Sequence, residues 1–165
     1  MEVSRDDYDL TPAEYEELVA GIVRGLQNLE GVNTIRVDRG VTIRGAATKW
    51  SLDVVWEFED ARGKHLVFFE CRYVTHALKQ EALIAVKGRR DDLAPAADTV
   101  TAVIVTRTGF QSGALDVAGF YGLIVLELRR PTPRDWQGRV REIFLNMRLL
   151  VPDISGLEAM PLSKS

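Results

Sequence analysis

The stretch "WSLDVVWEFE-DARG-KHLVFFECRYV", residues 50–74, decides the architecture. Its two flanks are rich in β-branched and aromatic residues. Between them "DARG" (60–63) supplies a turn, with Gly63 free to take the positive φ that tight connections need. The spacing predicts an antiparallel hairpin. Inside its second strand, apolar "LVFF" gives way to Glu70, Cys71 and Arg72. Residues two apart on a strand share a face, so Glu70 and Arg72 are neighbours and Cys71 alternates away from them. A hairpin symmetric about its turn then brings Asp53, on the first strand, beside Glu70 or Arg72.

Working outward, "TPAEYEELVAGIVRGLQNLEG" (11–31) predicts a helix. Thr11 stands as N-cap, Pro12 at the first helical position, acidic residues fill the first turn, and Gly31 closes it. Tyr15, Leu18, Val19, Ile22, Val23 and Leu26 recur at helical spacing. "TIRVDRG" and "VTIRG" (34–45) alternate weakly and predict two short strands, or one strand and an extended loop. After the hairpin a helix is expected over about 79–93. "VTAVIVT" (100–106) reads as a strand covered on both faces. "GFQSGALDVAGFYG" (109–122) predicts a helix ended by Gly122, and "LIVLEL" (123–128) a further buried strand. The order α-β-β-β-α-β-α-β, with a hairpin feeding parallel crossovers, implies an α/β fold with a mixed central sheet flanked by helices. In "VREIFLNMRLLVP" (140–152) apolar residues alternate as in a strand, ended by Pro152, although helical spacing also fits; the strand is the expectation.

The 165 residues suffice for one domain with a real core, and 46% hydrophobic with 27% charged residues is the composition of a soluble globular protein. No apolar run approaches the ~20 residues that span a bilayer, and the acidic N-terminus lacks a signal-peptide core. A single cysteine excludes an internal disulfide and fits a reducing compartment, so the expected location is cytoplasmic. A net charge of -3 argues mildly against a dedicated nucleic-acid binder, yet basic residues gather at 87–90, 129–130, Arg134, Arg139 and Arg141, leaving room for a local basic face.

Two carboxylates and a guanidinium on adjoining strands admit two chemistries. One is a plain Asp–Arg–Glu ion-pair network. In the other, a hard divalent cation relieves the repulsion between Asp53 and Glu70. Geometry alone favours neither. His65 and His76 flank the strand without a ligand-spaced partner, which argues against zinc; an exposed loop position is expected for His76, just past the strand end. "GRRDD" (88–92) reads as a solvated helix face, and the hydroxyls of "TRTGFQSG" (106–113) as helix caps.

"DVVWEFE…FFECR" resembles the catalytic hairpin of the PD-(D/E)xK nuclease superfamily, specifically its Mrr-like (type IV) restriction-endonuclease branch. The opening helix with its Tyr15–Glu16 pair, the lead-in "VTIRGAATKWSLDV", and "AVIVTRTGFQSGALDVAGFYGLIVLEL" with its "GF-SGA" helix entry resemble the same family. The similarity covers about residues 11–136. It implies a single restriction-endonuclease-like domain over 1–165, with a core at about 11–130 and a C-terminal extension at 131–165. By position, the resemblance makes Asp53, Glu70 and the backbone carbonyl of Cys71 ligands of Mg2+ or Mn2+. Glu16 is an auxiliary carboxylate, Gln80 a weaker site residue, and double-stranded DNA the substrate. Arg72 stands where the family has lysine; arginine stays protonated and cannot act as a base, though it can hold a phosphate. Lys49 or Lys79 would have to supply an ammonium group from elsewhere. Cutting both strands of a duplex requires two active sites, which implies a homodimer. The contrasting expectation is a catalytically impaired relative that binds nucleic acid or protein, or a ligand-free domain.

Overall fold

The computed structural model describes residues 10–26 and 28–129. The expected C-terminal strand and the basic segment at 130–141 lie outside the described residues. The elements follow the predicted order: α1 (Pro12–Leu26), β1 (Asn33–Arg44), β2 (Lys49–Asp60), β3 (Gly63–Arg72), α2 (Gln80–Asp92), β4 (Thr99–Thr106), α3 (Ser112–Tyr121) and β5 (Ile124–Glu127). No helix among the described residues is long and apolar enough to cross a membrane.

The start of α1 is a reciprocal capping box. The Thr11 amide donates to Glu14 Oε2 at 2.7 Å, and the Glu14 amide donates to Thr11 Oγ1 at 3.2 Å. The helix stops at Leu26, short of the expected Gly31, which takes φ 76° in the turn before β1. In α3 the expected end holds, with Gly122 in the left-handed conformation at φ 65°.

The sheet is mixed, in spatial order β1-β2-β3-β4-β5. β1, β2 and β3 form an antiparallel meander, and β4 and β5 run parallel to β3. The β2–β3 ladder runs from Val54 opposite Phe69 down to Asp60 opposite Gly63, the symmetric register expected of this hairpin. Because β3, β4 and β5 succeed one another in one direction, right-handed crossovers put α2 and α3 on the same face. The core divides accordingly. Leu66, Phe68, Leu83, Val86, Ile104, Ala114 and Ala118 pack on the α2/α3 side. Tyr15, Val19, Val23, Val54, Phe69 and Val105 pack on the α1 side. Adjacent Phe68 and Phe69 thus anchor opposite layers, as strand alternation dictates.

The segment expected before the hairpin as two short strands, or as one strand and an extended loop, is one twelve-residue strand. Gly40 lies within it at φ 59°, and the register of its neighbours puts it opposite Asp53. At this level both strands exchange faces. Val37, Val54 and Trp56 belong to the α1-side core, whereas Val41, Ile43, Trp50 and Leu52 belong to the α2/α3 side. In regular strands residues two or four apart share a face, so the swap marks a coordinated bend, and the positive φ at position 40 favours glycine. Beyond it the β1–β2 turn curls onto the end of α2. There Asp92 accepts hydrogen bonds from the Ala47 amide (2.7 Å), the Thr48 amide (3.3 Å) and Trp50 Nε1 (2.7 Å).

Two expectations about local roles need correction. "GRRDD" is not a solvated face: Asp92 staples the turn, Arg90 donates to the Tyr121 carbonyl at 2.6 Å, and Arg89 reaches β3. The hydroxyls of "TRTGFQSG" do not cap α3, whose N-cap Gln111 makes no side-chain capping bond. Thr108 Oγ1 instead donates to the His76 carbonyl (2.7 Å) and meets buried Thr106 Oγ1 at 3.2 Å, tying the loop after β3 to the end of β4.

A carboxylate–arginine cluster as candidate active site

Asp53 sits at the bend of β2, where the ladder to β3 has ended. Its Oδ2 accepts the Cys71 N–H at 2.8 Å, so the carboxylate is aimed along the sheet at the strand carrying Glu70 and Arg72. Burial pushes the Asp53 carboxyl above its ordinary range; the Cys71 N–H opposes this, the Glu70 and Glu16 anions add to the rise, and Arg72 offsets part of it. Glu70, Glu16 and Arg72 are thus the charged groups whose fields reach Asp53, and the Cys71 N–H is its hydrogen-bond partner. The Cys71 thiol packs among α1-side residues, and burial together with the Asp53, Glu16 and Glu70 anions raises its pKa strongly, so it is protonated and unsuited to nucleophilic attack.

Glu70 alternates with Phe68 toward the α2 side and is 5% exposed. Both its oxygens are engaged. Arg72 approaches Oε1 at 2.6 Å, and Arg89, from the last turn of α2, pairs with Oε2. Arg89 also lies over the Trp50 ring, 5.1 Å from its centroid. Glu16 comes from α1 on the opposite layer, and Arg39 of β1 bridges Glu16 (3.2 Å) and Glu17 (3.0 Å). Three carboxylates are therefore interleaved with three guanidinium groups. Among the described residues, no set of three His, Cys, Asp or Glu side chains is arranged to grip a metal ion directly.

Gln80 opens α2 with Oε1 against the backbone of Gly113 in α3. It stands nine residues before Arg89, about 13 Å along the helix axis at helical rise. Arg72 is ion-paired with Glu70, and Asp53 lies within the fields of Glu70, Glu16 and Arg72; Gln80 faces the α2–α3 junction instead. Lys49 and Lys79 are exposed. His76 is exposed in its loop, as expected. His65 is a buried strand residue, its Nε2 2.8 Å from Asp60 Oδ1 and its ring stacked on Phe58, at the far end of β3 from Glu70.

Arg39 and Arg89 are the participants that sequence reasoning missed. Arg39 lay in a weakly alternating strand and Arg89 in a mixed-charge run, patterns that give no sign of a partner in another layer. The one available signal is arithmetic: Asp53 and Glu70 carry two negative charges on adjoining strands, and Arg72 supplies one positive charge.

No family model matches the chain, and no curated protein matches it significantly. Solved structures do share its fold. A protein of unknown function, AF1548, superposes with a TM-score of 0.57 at 18% identity, covering 71% of this chain and 58% of that one. A repair endonuclease from Pyrococcus abyssi superposes with a TM-score of 0.52 at 24% identity, covering 76% and 50%. This chain thus spans between half and three-fifths of the length of these two proteins. The mixed five-stranded sheet with α1 on one face and α2 and α3 on the other is an endonuclease-like α/β fold.

Proposed function

We propose that this chain is the nuclease domain of a metal-dependent endonuclease acting on double-stranded DNA, of the PD-(D/E)xK, Mrr-like kind. The observation that carries the reading is the placement of Asp53: a half-buried carboxylate at a strand bend, bound to the Cys71 N–H and electrostatically coupled to Glu70 and Glu16. Its supporting context is a fold shared with the Pyrococcus abyssi repair endonuclease.

The donor set suits Mg2+ or Mn2+. Carboxylate oxygens and a backbone carbonyl are hard ligands. The Asp53 carboxyl, pushed up by burial and by two neighbouring anions, is a site where added positive charge is stabilising. Asp53, Glu70 and the Cys71 carbonyl would hold the ion, with Glu16 reaching it from α1. When bound, such an ion lowers the pKa of water and neutralises charge on the scissile phosphate. Arg72, 40% exposed, is the group available to hold non-bridging phosphate oxygens bidentately. It takes no proton from water at neutral pH, so it positions and neutralises only. Gln80 would contact the substrate at the margin. Two copies of the chain would be needed to cut both strands.

A second reading has its own support. Glu70 is already paired with two guanidinium groups, and the position of Arg72 is lysine in the resembled family. Both features suit a domain that grips nucleic acid without cutting it.

A supercoiled-plasmid nicking assay in Mg2+, Mn2+ or Ca2+ separates the two, run on the native chain, Asp53→Asn and Arg72→Lys. Nicking by the native chain in Mg2+ or Mn2+ that Asp53→Asn abolishes supports the nuclease. Nicking confined to Arg72→Lys, with native binding to duplex DNA intact, supports the binding module. Neither cleavage nor DNA binding by any form overturns both.

A further inference from the structure

The Arg89 contact goes further than the family resemblance, and it rests on the reading of Asp53 and Glu70 as cation ligands. Arg89 is largely buried, occupies one of the two Glu70 oxygens, and stacks on Trp50. Its Nε is buried without a hydrogen-bond partner among the described residues. Such a guanidinium is held by one carboxylate and one aromatic face, with one of its donors unsatisfied. It is therefore cheaper to release than a fully bonded arginine.

We infer that Arg89 is an internal competitor for the cation: Glu70 holds either Arg89 or a divalent metal ion through Oε2, so metal loading requires Arg89 to leave. Arg89 enters from α2, so any movement of the α2 end changes the metal affinity of the site. That end is fastened to the β1–β2 turn through Asp92. Arg89 acts here through Glu70 and is a positioning residue, not a catalytic one.

The test is calorimetric titration of Mn2+ into the native chain, Arg89→Gln, the charge-matched control Arg90→Gln, and Asp53→Asn. Removing one charge-assisted competitor tightens Mn2+ binding by about tenfold in Arg89→Gln. Arg90→Gln stays at the native value, because Arg90 bonds Tyr121 and Asp91 rather than Glu70. Equal Mn2+ affinity in Arg89→Gln and the native chain, with binding still dependent on Asp53, overturns the role of Arg89 and leaves the metal reading intact. Absence of Mn2+ binding in every form, Arg89→Gln included, overturns the metal reading itself.

Should Arg89→Gln fail to fold, Trp50 supplies a readout with Arg89 in place. The chain has three tryptophans, and Trp56→Phe with Trp136→Phe leaves Trp50 as the reporter. Mg2+ is expected to shift Trp50 emission as the guanidinium leaves the ring, and Asp53→Asn to abolish the shift. Calorimetric binding of Mg2+ with no change at Trp50 overturns the inference.

Discussion

Neutralising Asp53 and Glu70 one at a time is expected to give opposite stability effects. Glu70 is 5% exposed and sits between Arg72 and Arg89, the latter with a side chain only 18% exposed. Glu70→Gln removes the charge but not the cations, leaving Arg89 buried with a neutral partner. Breaking a buried pair from one side costs about 3–5 kcal/mol. Because Arg72 is 40% exposed and water compensates it, the lower end applies, about 3 kcal/mol, or a fall in Tm of about 10 °C for a chain of this size. Asp53→Asn retains a carbonyl oxygen for the Cys71 N–H and removes an anion that burial, Glu70 and Glu16 all disfavour. Its stability should equal or exceed that of the native chain. Urea unfolding at pH 7 and low salt measures both. A Glu70→Gln variant within about 0.5 kcal/mol of native, or an Asp53→Asn variant that falls as far as Glu70→Gln, would refute the electrostatic account of the cluster.

Three further outcomes concern the frame around the site. Gly45→Ala places a Cβ 2.3 Å from Asp92 Oδ2 and 2.7 Å from its backbone oxygen; the resulting displacement costs about 2 kcal/mol, and a smaller loss in thermal unfolding than in Leu18→Ala, an exposed-site control, would count against the staple. The Asp92 carboxyl is held below its usual range by the Ala47 amide, Trp50 Nε1 and the Thr48 amide. A depressed folded pKa contributes stability above the unfolded value of about 3.9 and loses it as pH falls through the folded one, so Asp92→Asn should unfold with a shallower pH dependence below about pH 4, and identical acid titration curves would contradict this. Tyr15→Phe deletes the hydroxyl that donates to the Leu128 carbonyl at 3.0 Å. It should cost about 1 kcal/mol and leave the plasmid assay unchanged.

Much of this fold is legible from local pattern. Gly63 and the apolar flanks specify the β2–β3 hairpin and its symmetric register, since a one-residue slip would turn Phe68 and Phe69 to the wrong layers. The β-branched run of β4, the Thr11 cap and Gly122 likewise declare themselves through backbone conformation and periodicity. From these alone Asp53 can be put near Glu70.

What the pattern does not contain is which cation answers which anion. Arg39, Arg72 and Arg89 come from β1, β3 and α2, and their long side chains choose partners by distances that exist only once the layers are stacked. The bend at Gly40 and Asp53 is of the same nature. Nothing in the alternation of either strand announces it, because it arises where the β1–β2 end leaves the plane of the sheet to close over α2 and meet Asp92. Backbone periodicity is a property of neighbours along the chain; charge pairing and strand bending belong to neighbours in space, and here the latter govern the site.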